Sequence, residues 1–73
     1  MIEFDTSLYA PEAVRKAIQD YSGLARITLE EEGGVCRCRF SRCRYPLRLT
    51  QLEFANYVLN LTVSMRGAAH DDL

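Results

Sequence analysis

Seventy-three residues leave room for one domain and no second core. Hydrophobic residues make up 48% of the chain, enough for a globular interior, and a net charge of −1 sets no global bias towards nucleic acid or a membrane surface. Acids at Glu3 and Asp5 are wrong for a secretion signal, and no apolar run approaches the roughly 18–20 residues of a membrane span. A cytoplasmic location and no membrane partner are therefore expected. Three cysteines, an odd number, fit a reducing compartment better than a disulfide scaffold. A core this small supplies roughly 3–5 kcal/mol of net stability, so help from a metal or a partner subunit has to be weighed.

In chain order, Ile2 to Asp5 alternates apolar and polar and predicts a short first strand with Ile2 and Phe4 inward. A helix follows, with Pro11 suited to its first position, Glu12 complementing its dipole, and Val14, Ala17, Ile18 and Tyr21 at helical spacing. Ala10, at the expected N-cap, is a poor capping residue, and Ser22-Gly23 supplies the stop. Ala25, Ile27 and Leu29 then alternate with Arg26, Thr28 and Glu30. Past Gly33-Gly34, the residues Cys36, Cys38 and Phe40 alternate with Arg37, Arg39 and Ser41. A two-glycine hairpin turn sets Leu29 opposite Cys38, Ile27 opposite Phe40, Glu30 opposite Arg37 and Thr28 opposite Arg39, so apolar meets apolar on one face. Pro46 ends that strand or begins an edge segment. Thr50-Gln51-Leu52-Glu53 reads as a capping box, which predicts a helix from about Gln51 to Arg66 with Gly67 as its stop.

The fold class expected is α+β, in the order β-α-β-β-α. A three-stranded sheet of strand order 1-3-2 carries both helices on one face, like a ferredoxin-like fold lacking its last strand. Residues 1–67 form the domain, and 68–73 form a mobile polar tail. No strand covers the outer edge of the first strand, and open edges invite pairing with another chain.

Three features could carry function. The last helix has one narrow polar stripe, Glu53, Asn56, Asn60 and Ser64, and is otherwise largely apolar, about twice the width that covering a sheet requires. Either the first helix and the loops cover the excess, or it is a homodimer or partner interface, with Phe54, Asn56, Tyr57, Leu59 and Leu61 as candidate contacts. Second, Arg37, Arg39, Arg42, Arg44 and Arg48 lie in an acid-free window from Gly33 to Leu52, whereas all ten acids lie outside it. These arginines form either a solvated face with ion pairs such as Glu30–Arg37, or a docking surface for an acidic peptide, an acidic protein face or RNA backbone. RNA is the less favoured partner, because no aromatics interleave with them as on a stacking platform.

Third, Cys36 and Cys38 point the same way on a strand, but that way is inward beside Phe40, where a thiol packs as a small hydrophobe. Only Cys43 and His70 could complete a zinc set, so no metal and no cofactor is expected. No nucleophile and base come together in the sequence, and the chain is read as non-catalytic.

Phe4-Asp5-Thr6-Ser7-Leu8-Tyr9 with Pro11 to Ala17, and Glu53-Phe54-Ala55-Asn56-Tyr57-Val58-Leu59, resemble the corresponding segments of HxsD-like proteins. Those proteins belong to the His-Xaa-Ser system, encoded beside radical-SAM proteins and thought to modify a short peptide. The resemblance implies an accessory or adaptor protein that binds a protein or peptide partner, with a radical-SAM maturase as one such partner. The β-α-β-β-α order is also similar to that of the small dimerising subunit of the KEOPS tRNA-modification complex, with Asn56 as a possible match in its helix. That second resemblance implies a dimeric subunit of a tRNA-modifying complex.

Overall fold

The structure, a computed structural model, describes residues 1–67; His70 and the tail that the sequence reading treated as mobile lie outside the described residues. Its elements run β1 (Ile2–Asp5), α1 (Pro11–Asp20), β2 (Arg26–Glu32), β3 (Val35–Ser41) and α2 (Leu47–Gly67). The sheet order is β1-β3-β2, with both neighbouring pairs antiparallel. This is the α+β arrangement expected, three strands in order 1-3-2 with two helices. Among the described residues no helix is long and apolar enough to cross a membrane.

The hairpin forms in the expected register, Leu29 against Cys38, Ile27 against Phe40, Glu30 against Arg37 and Thr28 against Arg39. Its turn is what makes that register possible. Gly33 and Gly34 have φ of 58° and 79°, left-handed at both central positions, and only glycine reaches this without a steric cost. The turn is also a fixed point for β1: the Thr6 amide and hydroxyl both donate to the Gly34 carbonyl at 2.9 Å. Asp5 shapes the exit from β1, its Oδ1 accepting from the Ser7 amide at 2.8 Å and the Ser7 hydroxyl at 2.7 Å, while its carbonyl accepts from the amides of Leu8 and Tyr9.

The core lies between the sheet and the two helices. Phe4, Ala13, Val14, Ala17, Cys36, Cys38, Phe54 and Val58 are buried, and Ile27, Leu29 and Phe40 are half-buried against them. Phe54 sits at the centre. Its ring meets Phe40 at 5.1 Å and Tyr21 at 5.2 Å, both edge to face, and Phe4 at 6.0 Å. One side chain of α2 thus touches rings from β1, β3 and the end of α1. Thr62, 2% exposed, accepts a hydrogen bond from the Ala10 amide at 3.2 Å, so α2 satisfies the backbone N–H of the N-cap residue itself and ties the start of α1 to α2.

Two boundaries differ from the sequence reading. Helix α2 begins at Leu47, a turn before the expected capping box, with the Thr50 amide donating to the Pro46 carbonyl at 3.0 Å. Thr50 is 4% exposed and its hydroxyl donates to that same carbonyl at 3.1 Å, a back-bond within the first turn and not an N-cap. Pro46 accordingly opens the helix and does not extend the strand, which stops at Ser41. Helix α1 ends at Asp20 in tight turns through Tyr21–Leu24, and Gly23 is not among the left-handed glycines.

Replacing Phe54 with Ala should cost about 3–5 kcal/mol, comparable with the whole net stability of a domain this small. Circular dichroism of F54A at 25 °C should show loss of cooperative unfolding. A cooperative transition within a few degrees of the parent's would remove Phe54 from the centre of the core.

Candidate functional site

Helix α2 presents two different faces. Inward lie Phe54, Val58 and Thr62, with Tyr57 and Leu61 half-buried at the margin. Outward, on the side roughly 160° away at 3.6 residues per turn, lie Leu49, Leu52, Asn56, Leu59 and Val63. The four apolar members are 47%, 62%, 44% and 59% exposed, and Asn56 is exposed. The sequence-derived helix contacts therefore separate. Phe54 is fully buried and cannot meet a partner in this fold, and Leu61 packs on the core; Asn56 and Leu59 remain available. Tyr57 is committed in part, since its hydroxyl donates to Asp20 Oδ2 at 2.6 Å and its ring lies 5.5 Å from that of Tyr21.

Leu52 and Val63 belong to the wide apolar surface expected of this helix but are not among its expected contacts, and Leu49 falls outside a helix that starts at Gln51. Beside the stripe, an open cleft of about 580 Å³ runs between the free edge of β1 and α2, lined by Ile2, Arg48, Leu49, Gln51, Leu52 and Ala55. It occupies the flank where a fourth strand would lie in a ferredoxin-like fold. Helix α1, by contrast, turns polar residues outward: Glu12, Arg15, Lys16 and Gln19 are all exposed.

The five arginines also divide. On the open face of the sheet, Arg37 Nε lies 2.7 Å from Glu3 and its Nη1 3.9 Å from Glu32, while Arg39 Nε lies 3.2 Å from Glu30. The expected Glu30–Arg37 pair is thus replaced by a diagonal Glu30–Arg39 contact and a cross-strand Glu3–Arg37 contact, because β1 brings Glu3 directly opposite Arg37. The Glu3 carboxylate holds the Arg37 guanidinium pKa above its ordinary value. Glu31 reaches α1, and Arg15 Nη1 donates to both of its carboxylate oxygens at 2.9 Å. Both arginines of β3 on the open sheet face are therefore met by acids.

Arg42, Arg44 and Arg48 are different. All three are exposed, and none forms an ion pair within 4 Å with an acid among the described residues. They lie where β3 leaves the sheet and α2 begins. Arg42 holds a left-handed backbone, φ 52°, and the Arg44 amide donates to the Leu24 carbonyl at 2.8 Å, which anchors this connection to the turn after α1.

The thiols of Cys36 and Cys38 are fully buried in the core. Burial pushes the Cys36 thiol up and the Cys38 thiol up to about 12, so neither is a ready thiolate ligand or nucleophile. Among the described residues no group of three or more His, Cys, Asp or Glu is placed to hold a metal ion. Comparison with known proteins finds no family model, curated protein or solved structure that matches this chain.

The Tyr57–Asp20 bond gives the margin of α2 a pH signature. The Tyr57 hydroxyl, then Lys16 at 3.5 Å, holds the Asp20 carboxyl below its ordinary 3.8, and the Ser7 donors do the same for Asp5. A carboxyl lowered on folding adds stability above its unfolded pKa and loses it as pH falls through the folded value. The Tyr57 phenol is held above its ordinary 10.0 by the same bond, so its contribution is lost as pH rises through the folded pKa. Thermal unfolding of Tyr57→Phe should show a shallower loss of stability than the parent both below about pH 4 and above about pH 10, with the two converging at the extremes. Parallel curves across both windows would show that the bond does not form in solution.

Proposed function

We propose that this chain is a non-catalytic accessory or adaptor protein that docks a protein or peptide partner at its basic end. The observation that carries this reading is the pairing of three unneutralised arginines, Arg42, Arg44 and Arg48, with the adjoining cleft, whose apolar floor between β1 and α2 is Ile2 and Ala55. Guanidinium groups at the rim suit carboxylates, and an open apolar floor suits the aliphatic or aromatic side chains of an acidic segment. Arg37 and Arg39 have no such role, because their charges are already met by Glu3, Glu30 and Glu32.

In the setting suggested by the likeness to HxsD-like proteins, the partner is a radical-SAM maturase or the peptide it modifies. The residues behind that likeness have structural work of their own: Asp5, Thr6 and Ser7 build the turn after β1, and Phe54 and Val58 fill the core. They therefore support the accessory role through the fold and leave the partner's identity to the basic end. A second reading, a subunit of a tRNA-modifying complex, is favoured by the same arginines if phosphate and not carboxylate is their target.

The test is a triple variant, Arg42/Arg44/Arg48→Ser, titrated with a fluorescein-labelled Glu- and Leu-rich peptide and, separately, with single-stranded RNA. The variant should keep its fold, since exposed charges each contribute only a few tenths of a kcal/mol. Peptide affinity should fall about tenfold, and the remaining binding should depend less on salt. Preferential binding of RNA, lost in the variant, would move the assignment to the tRNA reading. Affinity for neither probe, or equal affinity in parent and variant, would return the arginines to a solvated surface.

A further inference from the structure

The outward stripe of α2 has a spacing that its role in this fold does not require. Leu49, Leu52, Asn56, Leu59 and Val63 follow one another at intervals of three, four, three and four, the a/d repeat of a coiled-coil seam. All five are exposed, over about 21 Å of helix, and the inward residues Phe54 and Val58 fall at positions turned away from that seam. A helix that only covers a sheet needs one apolar side; this one has a second, narrow and opposite.

We propose that the occupant of this stripe is a second copy of the chain, its α2 lying parallel and in register. The proposal rests on the same view of α2 as a working surface and names what covers its outer side. Two features single out a second copy over an unrelated partner. With Leu49 at an a position, Asn56 falls at the central a position, where a polar side chain is best satisfied by its own symmetry mate and fixes both register and two-strandedness. Arg48 then falls at g and Glu53 at the following e, five residues on. A parallel pair sets Arg48 of each copy beside Glu53 of the other, two complementary contacts from one surface. Both side chains are exposed, and neither is ion-paired within 4 Å among the described residues.

An antiparallel pair lacks both features, because Asn56 then faces Leu59 and Arg48 no longer meets Glu53. The fold leaves room for the parallel one. The sheet lies on the far side of α2, and the outward side of α1 next to it is polar, so the seam is bounded and the sheets of the two copies face away from each other. Parallel pairing also places the Arg42 and Arg44 loops of both copies at one end of the dimer, so that one partner can meet two basic ends at once.

The experiment uses the full chain. Sedimentation equilibrium should show a monomer–dimer equilibrium. Leu52→Glu should raise its Kd by about tenfold or more while circular dichroism stays unchanged, because Leu52 is exposed in the monomer. Orientation is read from disulfide capture in a Cys43→Ser background: Leu49→Cys and Val63→Cys should each cross-link to itself, at opposite ends of the seam. Arg48→Glu and Glu53→Arg should each weaken self-association, and mixing the two variants should restore it, since every facing pair is then of opposite sign.

A parent that stays monomeric at millimolar concentration overturns the proposal. So does a dimer in which neither single cysteine links to itself while Leu52→Cys links to Val63→Cys of a mixed sample. Either result is compatible with continued acidic-peptide binding by Arg42 and Arg44, and an Arg42/Arg44→Ser variant, which leaves Arg48 and the seam intact, tests that binding without touching the dimer, so the two readings fail separately.

Discussion

Everything else in this domain depends on the ring of Phe54. A two-layer fold of this size has only one place where strand β1, strand β3, the end of α1 and α2 can meet, and that side chain fills it, with Phe4, Phe40 and Tyr21 arranged around its faces and edges. Edge-to-face aromatic contacts contribute roughly 0.5–1.5 kcal/mol beyond their buried area. In a domain whose net stability is of the order of a few kcal/mol, such contacts decide whether the layers stay together. They also fix the rotation of α2 about its own axis. Once Phe54 and Val58 point into the core, Leu52, Leu59 and Val63 have nowhere to go but outward, and the exposed stripe follows from the buried ring.

The same constraint sorts the charges. Because β1 pairs with β3 so that Ile2 and Phe4 face Cys38 and Cys36, Glu3 is held opposite Arg37 on the outer face. Acids and arginines on the open side of the sheet then neutralise one another, and the surplus positive charge is left at one end, where β3 hands over to α2. Apolar and basic character therefore meet in a single region, the start of α2, with Arg48 belonging to both. For the docking role proposed above, the chemistry of recognition, guanidinium beside aliphatic surface, would be sufficient.

Much of this was legible in the sequence wherever a short-range rule decides the outcome. Alternation either side of Gly33-Gly34 fixes the hairpin register, since a slip of one residue would turn Cys36 and Cys38 to water and Arg37 and Arg39 into the core. Strand order and helix placement followed from the order of elements. The start of α2 was misread because Thr50 and Glu53 satisfy a local capping pattern that tertiary packing overrides: the Thr50 hydroxyl is buried and bonds back to Pro46. That one-turn error left out Leu49, the first residue of the outward repeat. Ion-pair choice was illegible for a different reason, because Glu30 and Arg37 are opposite each other in the register, but the long side chains lean diagonally and Glu3 arrives from a strand more than thirty residues earlier in sequence. The wide apolar surface of α2 was visible in outline, while its division into a buried and a free side required the position of Phe54.

Whether the side of α2 opposite the core is free in the monomer and covered by a second copy, as proposed, can be read directly from the methyl groups. Solvent paramagnetic relaxation enhancement of a methyl-labelled sample, recorded over a dilution series, distinguishes the two sides in one experiment. Val14 and Val58 should be protected at every concentration, whereas Leu52, Leu59 and Val63 should be strongly relaxed when dilute and become protected as concentration rises. Relaxation of Leu52, Leu59 and Val63 that stays high at the most concentrated point, or that is already low at the most dilute, would contradict the proposal.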